Sequence, residues 1–173
     1  MVFERLCRPV FSFILGFVGD ASLAEDLTQE TFVRAYRGLK SMKGEARLST
    51  WVFGIARNVA REATRAKYSG RAAVEMDEAQ WQGIRDDRAR PDRSVMDSEL
   101  QGKVQQAVAG LPERQRAVFL LRVVNHMRYE EIAAIIGGSV AGLKTDMHRA
   151  RRAMRVRLAP YLESQLSAMR GDS

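Results

Sequence analysis

Cysteine, histidine and proline are all scarce in this chain: 1, 2 and 4 of its 173 residues. With Cys7 alone, an intramolecular disulfide is excluded, and so is a cysteine-rich zinc site. His126 and His148 have no partners at metal-ligand spacing and no H-E-x-x-H pattern occurs, so the sequence predicts no metal chemistry and no cofactor. Long apolar runs are lacking too. The longest, Val10 to Val18, is broken by Ser12 and Gly16 and falls well short of a bilayer span, and no signal-peptide cleavage pattern follows it. The expectation is a soluble, cytoplasmic protein without membrane insertion. No convergent nucleophile set stands out either, and the chain is not expected to be an enzyme.

What is present in excess is positive charge: net +7, with a pI near 10.1. Residues 1–70 carry 11 basic and 7 acidic side chains, residues 71–110 carry 6 and 8, and residues 111–173 carry 11 and 6. Two basic blocks therefore flank an acidic middle. That pattern fits two nucleic-acid-facing domains on a tether better than one uniformly basic particle.

Helical periodicity covers most of the chain. Met1 to Val18 places bulky apolar residues on most sides (Phe3, Leu6, Val10, Phe11, Phe13, Ile14), the mark of a core helix. After the Gly19-Asp20 turn, Ser22 with Glu25 three residues on reads as a capping box. The helix that follows is expected to bury Ala24, Leu27, Thr28, Thr31, Phe32, Ala35, Tyr36 and Leu39, and to display Glu25, Asp26, Gln29, Glu30, Val33, Arg34 and Arg37. Its acidic start and basic end complement the helix dipole, so residue types alone allow either a well-made helix or a docking face.

Beyond a polar loop around Gly44, a helix opening at Leu48 or Ser49 is expected to bury Leu48, Trp51, Val52, Ile55, Ala56, Val59 and Ala63. Opposite stand Arg57, Asn58, Arg61 and Arg65. An arginine stripe with one Asn suits phosphate contact plus a hydrogen bond to a base, and suits a solvated face equally. From Ser69 to about Val95 periodicity fails around the lone bulky Trp81, as in a linker. Asp97 or Ser98 then starts a helix with Leu100, Val104, Ala107, Val108 and Leu111 inward. Pro112 opens another through Val124, with Val118, Leu121 and Val124 inside, and His126 reads as a turn residue.

The most informative stretch is Tyr129 to Leu158. A short apolar-faced segment (Tyr129, Ile132, Ala133, Ile136) meets the Gly137-Gly138 break, after which Ser139 can cap a new helix. Val140, Leu143, Met147, Ala150, Met154 and Leu158 form its buried stripe, and Lys144, His148, Arg149, Arg151, Arg152, Arg155 and Arg157 occupy the other faces with one acid, Asp146. This is the layout of a helix-turn-helix, with a second helix suited to the DNA major groove. The fold class is therefore all-α: two small helical domains, 1–68 and 98–173, joined by a flexible linker over 69–97, the C-terminal one a helix-turn-helix. A stand-alone DNA-binding repressor or activator would share these features.

AEDLTQETFVRAYRGL (24–39) with LSTWVFGIARNVAREATR (48–65) resembles the second conserved region of bacterial sigma factors. LPERQRAVFLLRVVNHMRYEEIAAIIGGSVAGLKTDMHRARRAMRVRL (111–158) resembles the fourth. With only a linker between them, the chain is similar to the compact extracytoplasmic-function class over nearly its whole length. The resemblance implies an alternative sigma factor that binds core RNA polymerase and directs it to promoters by minus-10 and minus-35 recognition, and it implies an anti-sigma factor as regulator.

By the same resemblance, Asp26, Gln29, Glu30 and Arg34 match the surface that docks on the β′ clamp coiled coil of polymerase. Lys43, Gly44, Glu45 and Arg47 match the loop that receives a flipped minus-10 base, and Asn58 faces that element with Arg57, Arg61 and Arg65 as phosphate partners. Ser139, Lys144, Thr145, Asp146, His148, Arg149 and Arg152 fall in the minus-35 reader, and the helices before it meet the β flap. Three positions depart from the family pattern. Asp146 stands where the family generally has Arg, and a carboxylate is repelled by phosphate although it can accept from cytosine N4. Gly138 and Gly142 replace bulkier residues, which predicts a looser recognition helix, since an interior Gly costs about 1 kcal/mol relative to Ala.

Overall fold

The computed structural model describes residues 2–41, 47–69 and 95–170, all but the turns helical. In chain order these are α1 (Val2–Val18), α2 (Ala21–Gly38) with a short 3-10 turn over Leu39–Ser41, α3 (Leu48–Ser69), α4 (Val95–Ala109), α5 (Glu113–Phe119) continuing as a π-turn over Leu120–Val124, α6 (Tyr129–Ile136) and α7 (Val140–Arg170). Of the expected linker over 69–97, residues 70–94 lie outside the described residues, Ser69 ends α3, and α4 begins at Val95, before the expected start at Asp97 or Ser98.

The N-terminal group packs α1, α2 and α3 around Phe13, Ile14, Val52, Phe53 and Ala56, each 2% exposed or less. Phe13 meets Phe53 edge-on at 5.7 Å, a favoured aromatic geometry. The face that α2 turns inward is narrow and made of small residues, Ala24, Thr28, Thr31 and Ala35. Two of them are polar, and their hydroxyls donate back to the carbonyls of Ala24 (2.6 Å) and Leu27 (2.7 Å), so no buried hydroxyl there goes unpaired. Leu27 and Phe32 pack partly buried beside that face, whereas Tyr36 and Leu39 lie off it, 78% and 42% exposed. The expected burial of both is corrected. The cap is corrected as well: Asp20, not Ser22, caps α2 by accepting from the Leu23 N–H at 2.9 Å.

The C-terminal group packs α4, α5 and α6 on the first half of α7. Leu143, Met147, Ala150 and Met154 form the expected stripe and face Leu111, Val118, Leu121 and Ile132. The π-turn is closed by the Asn125 N–H on the Leu120 carbonyl at 3.1 Å, which inserts one residue into the helical repeat. That shift turns Leu120 inward and leaves Val124 partly exposed, against the helical projection through Val124. Leu100, also expected inside, lies on the outer side of α4, which packs through Val104, Ala107 and Val108. His126 takes the left-handed conformation (φ 55°) that the turn needs.

The two groups lie against each other. Leu120 of the π-turn occupies the space where a Cβ on Gly16 of α1 would sit. Arg116 stacks on the Phe17 ring at 5.4 Å and donates to the Phe17 carbonyl at 2.9 Å, which ties the C-terminal end of α1 to α5. Arg157, one of the cations of α7, is likewise structural: it donates to the carbonyls of Ala107 (3.0 Å) and Gly110 (2.7 Å) and closes the end of α4.

Candidate nucleic-acid interface

On α2, Asp26, Gln29 and Glu30 lie together on one exposed face, as residues three and four apart must. Glu30 accepts from Arg34 Nε at 2.7 Å, and Arg34 also pairs with Glu62 of α3 at 2.9 Å. These contacts with Glu30 and then Glu62 raise the guanidinium above its ordinary pKa and make Arg34 a brace between α2 and α3. The same face continues into Val33 and Tyr36, both exposed. Sequence periodicity had placed Tyr36 inside. The signal that could have found it is its spacing of three from Val33 and of seven from Gln29, on the acidic face.

On α3, Asn58 and Arg65 are exposed. Arg57 and Arg61 are not solvated in the same way. Arg61 Nε is 2.6 Å from Glu113 Oε1 of α5, and Arg57 is 4.0 Å from the same oxygen. Neither Nε–H is satisfied by a hydrogen bond, so these are ion pairs of imperfect aim. Burial, and then repulsion from Arg61, holds Arg57 below the usual guanidinium range despite Glu113 nearby. Arg47, at the mouth of α3, pairs with Glu131 of α6 at 3.2 Å. Arg57 and Arg61 thus share Glu113 and are partly covered, whereas Arg47 pairs with Glu131 and stays 69% exposed. Lys43, Gly44 and Glu45 lie outside the described residues.

In the helix-turn-helix, Glu131 Oε2 accepts from the Arg128 N–H at 2.9 Å and caps α6. That backbone hydrogen bond, the largest effect, keeps the Glu131 carboxyl below the ordinary glutamate range. Gly137 and Gly138 both have positive φ (77° and 94°), where side chains are strained, so this turn needs its glycines. Ser139 Oγ accepts from the Gly142 N–H at 3.1 Å and opens α7. Gly142 therefore sits in a capped first turn, and Gly138 in a conformation only glycine takes easily. These contacts define the turn and the start of α7.

Lys144, Thr145, His148, Arg149 and Arg152 are exposed on α7. Lys144 lies over the Tyr129 ring at 5.9 Å, with Arg122 on the same ring at 5.1 Å. Asp146 stands apart from this set. It is 16% exposed, and Oδ2 accepts from Arg114 Nε of α5 at 2.7 Å. Among the described residues no cluster of three or more metal-ligating side chains occurs, and no helix is long and apolar enough to cross a membrane.

Residues 2–69 match the family model for sigma-70 region 2, and residues 101–154 match that for sigma-70 region 4. The chain is 30% identical to the RNA polymerase sigma-H factor of Pseudomonas aeruginosa over 161 residues, covering 90% of this chain and 83% of that one. It is 31% identical to the ECF RNA polymerase sigma factor SigW of Bacillus subtilis over 154 residues, covering 86% and 82%. Its fold is similar to that of CnrH, solved with the cytosolic domain of CnrY, at a TM-score of 0.69, with 21% identity and coverage of 92% and 86%.

Proposed function

The chain belongs to the extracytoplasmic-function sigma factors, and from that premise we propose how its residues divide the work of promoter-specific transcription initiation. The observation that carries the division is the separation of three exposed faces: acidic and apolar on α2, Asn58 with Arg65 on α3, and the Lys144 to Arg152 cations on α7.

The α2 face of Asp26, Gln29, Glu30, Val33 and Tyr36 docks on the β′ clamp of core RNA polymerase. A charged rim around exposed apolar residues is the composition of a specific protein contact. Arg34 supports that face by fixing Glu30. The α7 face reads minus-35 duplex with its N-terminal turns toward base edges and Arg149 and Arg152 toward phosphate. Arg47, Arg57, Asn58, Arg61 and Arg65 hold the unpaired minus-10 strand, with Lys43, Gly44 and Glu45 receiving the flipped base. The protein forms and breaks no bonds. It acts by differential binding, stabilising the open strand that polymerase then uses, in the cytoplasm where polymerase and promoter meet.

Occupying the minus-10 cations with DNA requires their release from Glu113 and Glu131. The Arg47–Glu131 pair is exposed on its arginine side and contributes about 0–1 kcal/mol, while the partly buried Arg57 and Arg61 are imperfectly aimed at Glu113, so a polyanion and the clamp together outweigh these contacts. An anti-sigma factor that favours the compact arrangement would act as the regulator, in keeping with the similarity in fold to RpoE of Bartonella quintana, solved with the anti-sigma factor NepR.

Transcription in vitro with core polymerase on a promoter library tests the reading. Initiation from a defined subset of promoters is expected, and the α2 variants Gln29→Ala and Glu30→Ala should lose core capture. Capture equal to the parent would remove the α2 face from the assignment.

A further inference from the structure

Two of the three departures from the family pattern in the C-terminal group, Gly138 and Asp146, meet at a single side chain that the pattern did not single out. Arg114, at the start of α5, points its guanidinium across the helix-turn-helix. Its Nε donates to Asp146 Oδ2 at 2.7 Å and one Nη donates to the Gly137 carbonyl at 3.3 Å. A Cβ on residue 138 would come within 2.5 Å of that same Nη, so the guanidinium lies in space that glycine at residue 138 leaves open. The other Nη has no partner among the described residues, and the side chain is 46% exposed while Asp146 is 16% exposed.

The three residues therefore form one unit. The carboxylate that would repel phosphate is turned away from solvent and neutralised, and what reaches the surface beside the recognition helix is a guanidinium. An arginine held by two contacts keeps a fixed planar edge and loses little rotamer freedom when it meets an anion.

We infer that Arg114 belongs to the minus-35 contact set and delivers to a DNA phosphate the cation that position 146 does not carry, with Asp146 and Gly138 serving as its mount. Arg114 contacts DNA; Asp146 acts through Arg114 and is a positioning residue. This rests on the minus-35 reading above and adds a contact from α5 to it.

The test is the salt dependence of binding by the full-length chain to a random-sequence DNA duplex, followed by fluorescence anisotropy over a range of NaCl concentrations. Arg114→Gln keeps hydrogen-bonding capacity toward Asp146 and Gly137 but removes the charge. It should lower the slope of log affinity against log salt by about one, the signature of one lost phosphate contact. Arg114→Lys should restore that slope, which a merely structural brace would not do. Asp146→Asn keeps the cation but frees it, so the slope should hold while discrimination between a promoter recovered from the library and its minus-35-scrambled copy falls several-fold in the holoenzyme. If the parent initiates from promoters but Arg114→Gln leaves its salt slope unchanged, or Arg114→Lys fails to restore it, the inference is overturned alone. A parent that initiates nowhere overturns the underlying reading with it.

Discussion

Arg61 Nε and Glu113 Oε1 stand 2.6 Å apart across the boundary between the N-terminal and C-terminal helical groups. The same glutamate oxygen is the anion nearest to Arg57, whose burial among Arg61 and Arg114 already disfavours its charge. A cation that is underserved by solvent and imperfectly paired gains more from a phosphate than a solvated one does. The contact therefore both masks the α3 surface and leaves it ready to exchange partners. Packing of Leu120 on Gly16 and of Arg116 on Phe17 joins the groups independently of these ion pairs.

The first expected outcome follows for Glu113→Gln. It removes the masking charge but not the apolar seat, so the chain should stay folded and bind single-stranded DNA a few-fold more tightly at low salt. Anisotropy titrations of parent and variant with a labelled oligonucleotide read this directly. Equal affinities would show that Glu113 does not compete with DNA for Arg57 and Arg61.

Phe53 is 2% exposed and packs edge-on against Phe13. Phe53→Ala should destabilise the N-terminal group by about 3–5 kcal/mol, the range for deleting a buried aromatic ring. Chemical denaturation followed by circular dichroism would measure it, and a loss under 1 kcal/mol would place Phe53 outside the core.

Phe53 also shows where the sequence could be read and where it could not. The order of the helices, the stripe of α7 and the turn at Gly137-Gly138 are local consequences of spacing and were legible. Phe53 and Ala60 fall beside the single stripe projected for α3, yet both are buried, because α3 is covered by α1 and α2 on one side and approached by α6 on another. A stripe width depends on how many neighbours a helix has, which spacing alone does not encode. Leu120 was hidden for a second reason: an inserted π-turn changes the register within one helix. The candidate site divides in the same way. The exposed cations of α7 were legible, whereas the partners of Arg57, Arg61 and Asp146 come from distant chain segments that only folding brings together.

Tyr36 is 78% exposed beside Val33 and the acidic turn of α2, so folding gains little from its ring. Tyr36→Ala should change stability by no more than about 0.5 kcal/mol, as for other surface sites. Aromatic residues at the centre of an interface commonly contribute about 2 kcal/mol or more, so capture of core polymerase should weaken by at least tenfold. Surface-bound core enzyme titrated with parent and variant provides the comparison. Undiminished capture, with an unchanged melting curve, would make Tyr36 a bystander on that face.

Glu131 supplies a pH dependence whose sign can be worked out. Its folded pKa is lowered, chiefly by the hydrogen bond from the Arg128 N–H, with smaller help from the charges of Arg128 and Arg47. A carboxyl depressed in the folded state contributes stability that is fully present above its unfolded pKa, about 4.3 for glutamate, and is lost as pH falls through the lower folded value. Glu131→Gln should therefore cost about 1 kcal/mol at neutral pH, the usual value of a capping contact. The gap between parent and variant should close in acid, because the parent is then protonated at the same place. Thermal melts of both proteins at neutral pH and over a descending series of acid pH values, followed until the gap stops changing, decide it. A gap that persists undiminished in acid would mean that packing of the side chain, and not its charge, supports the start of α6.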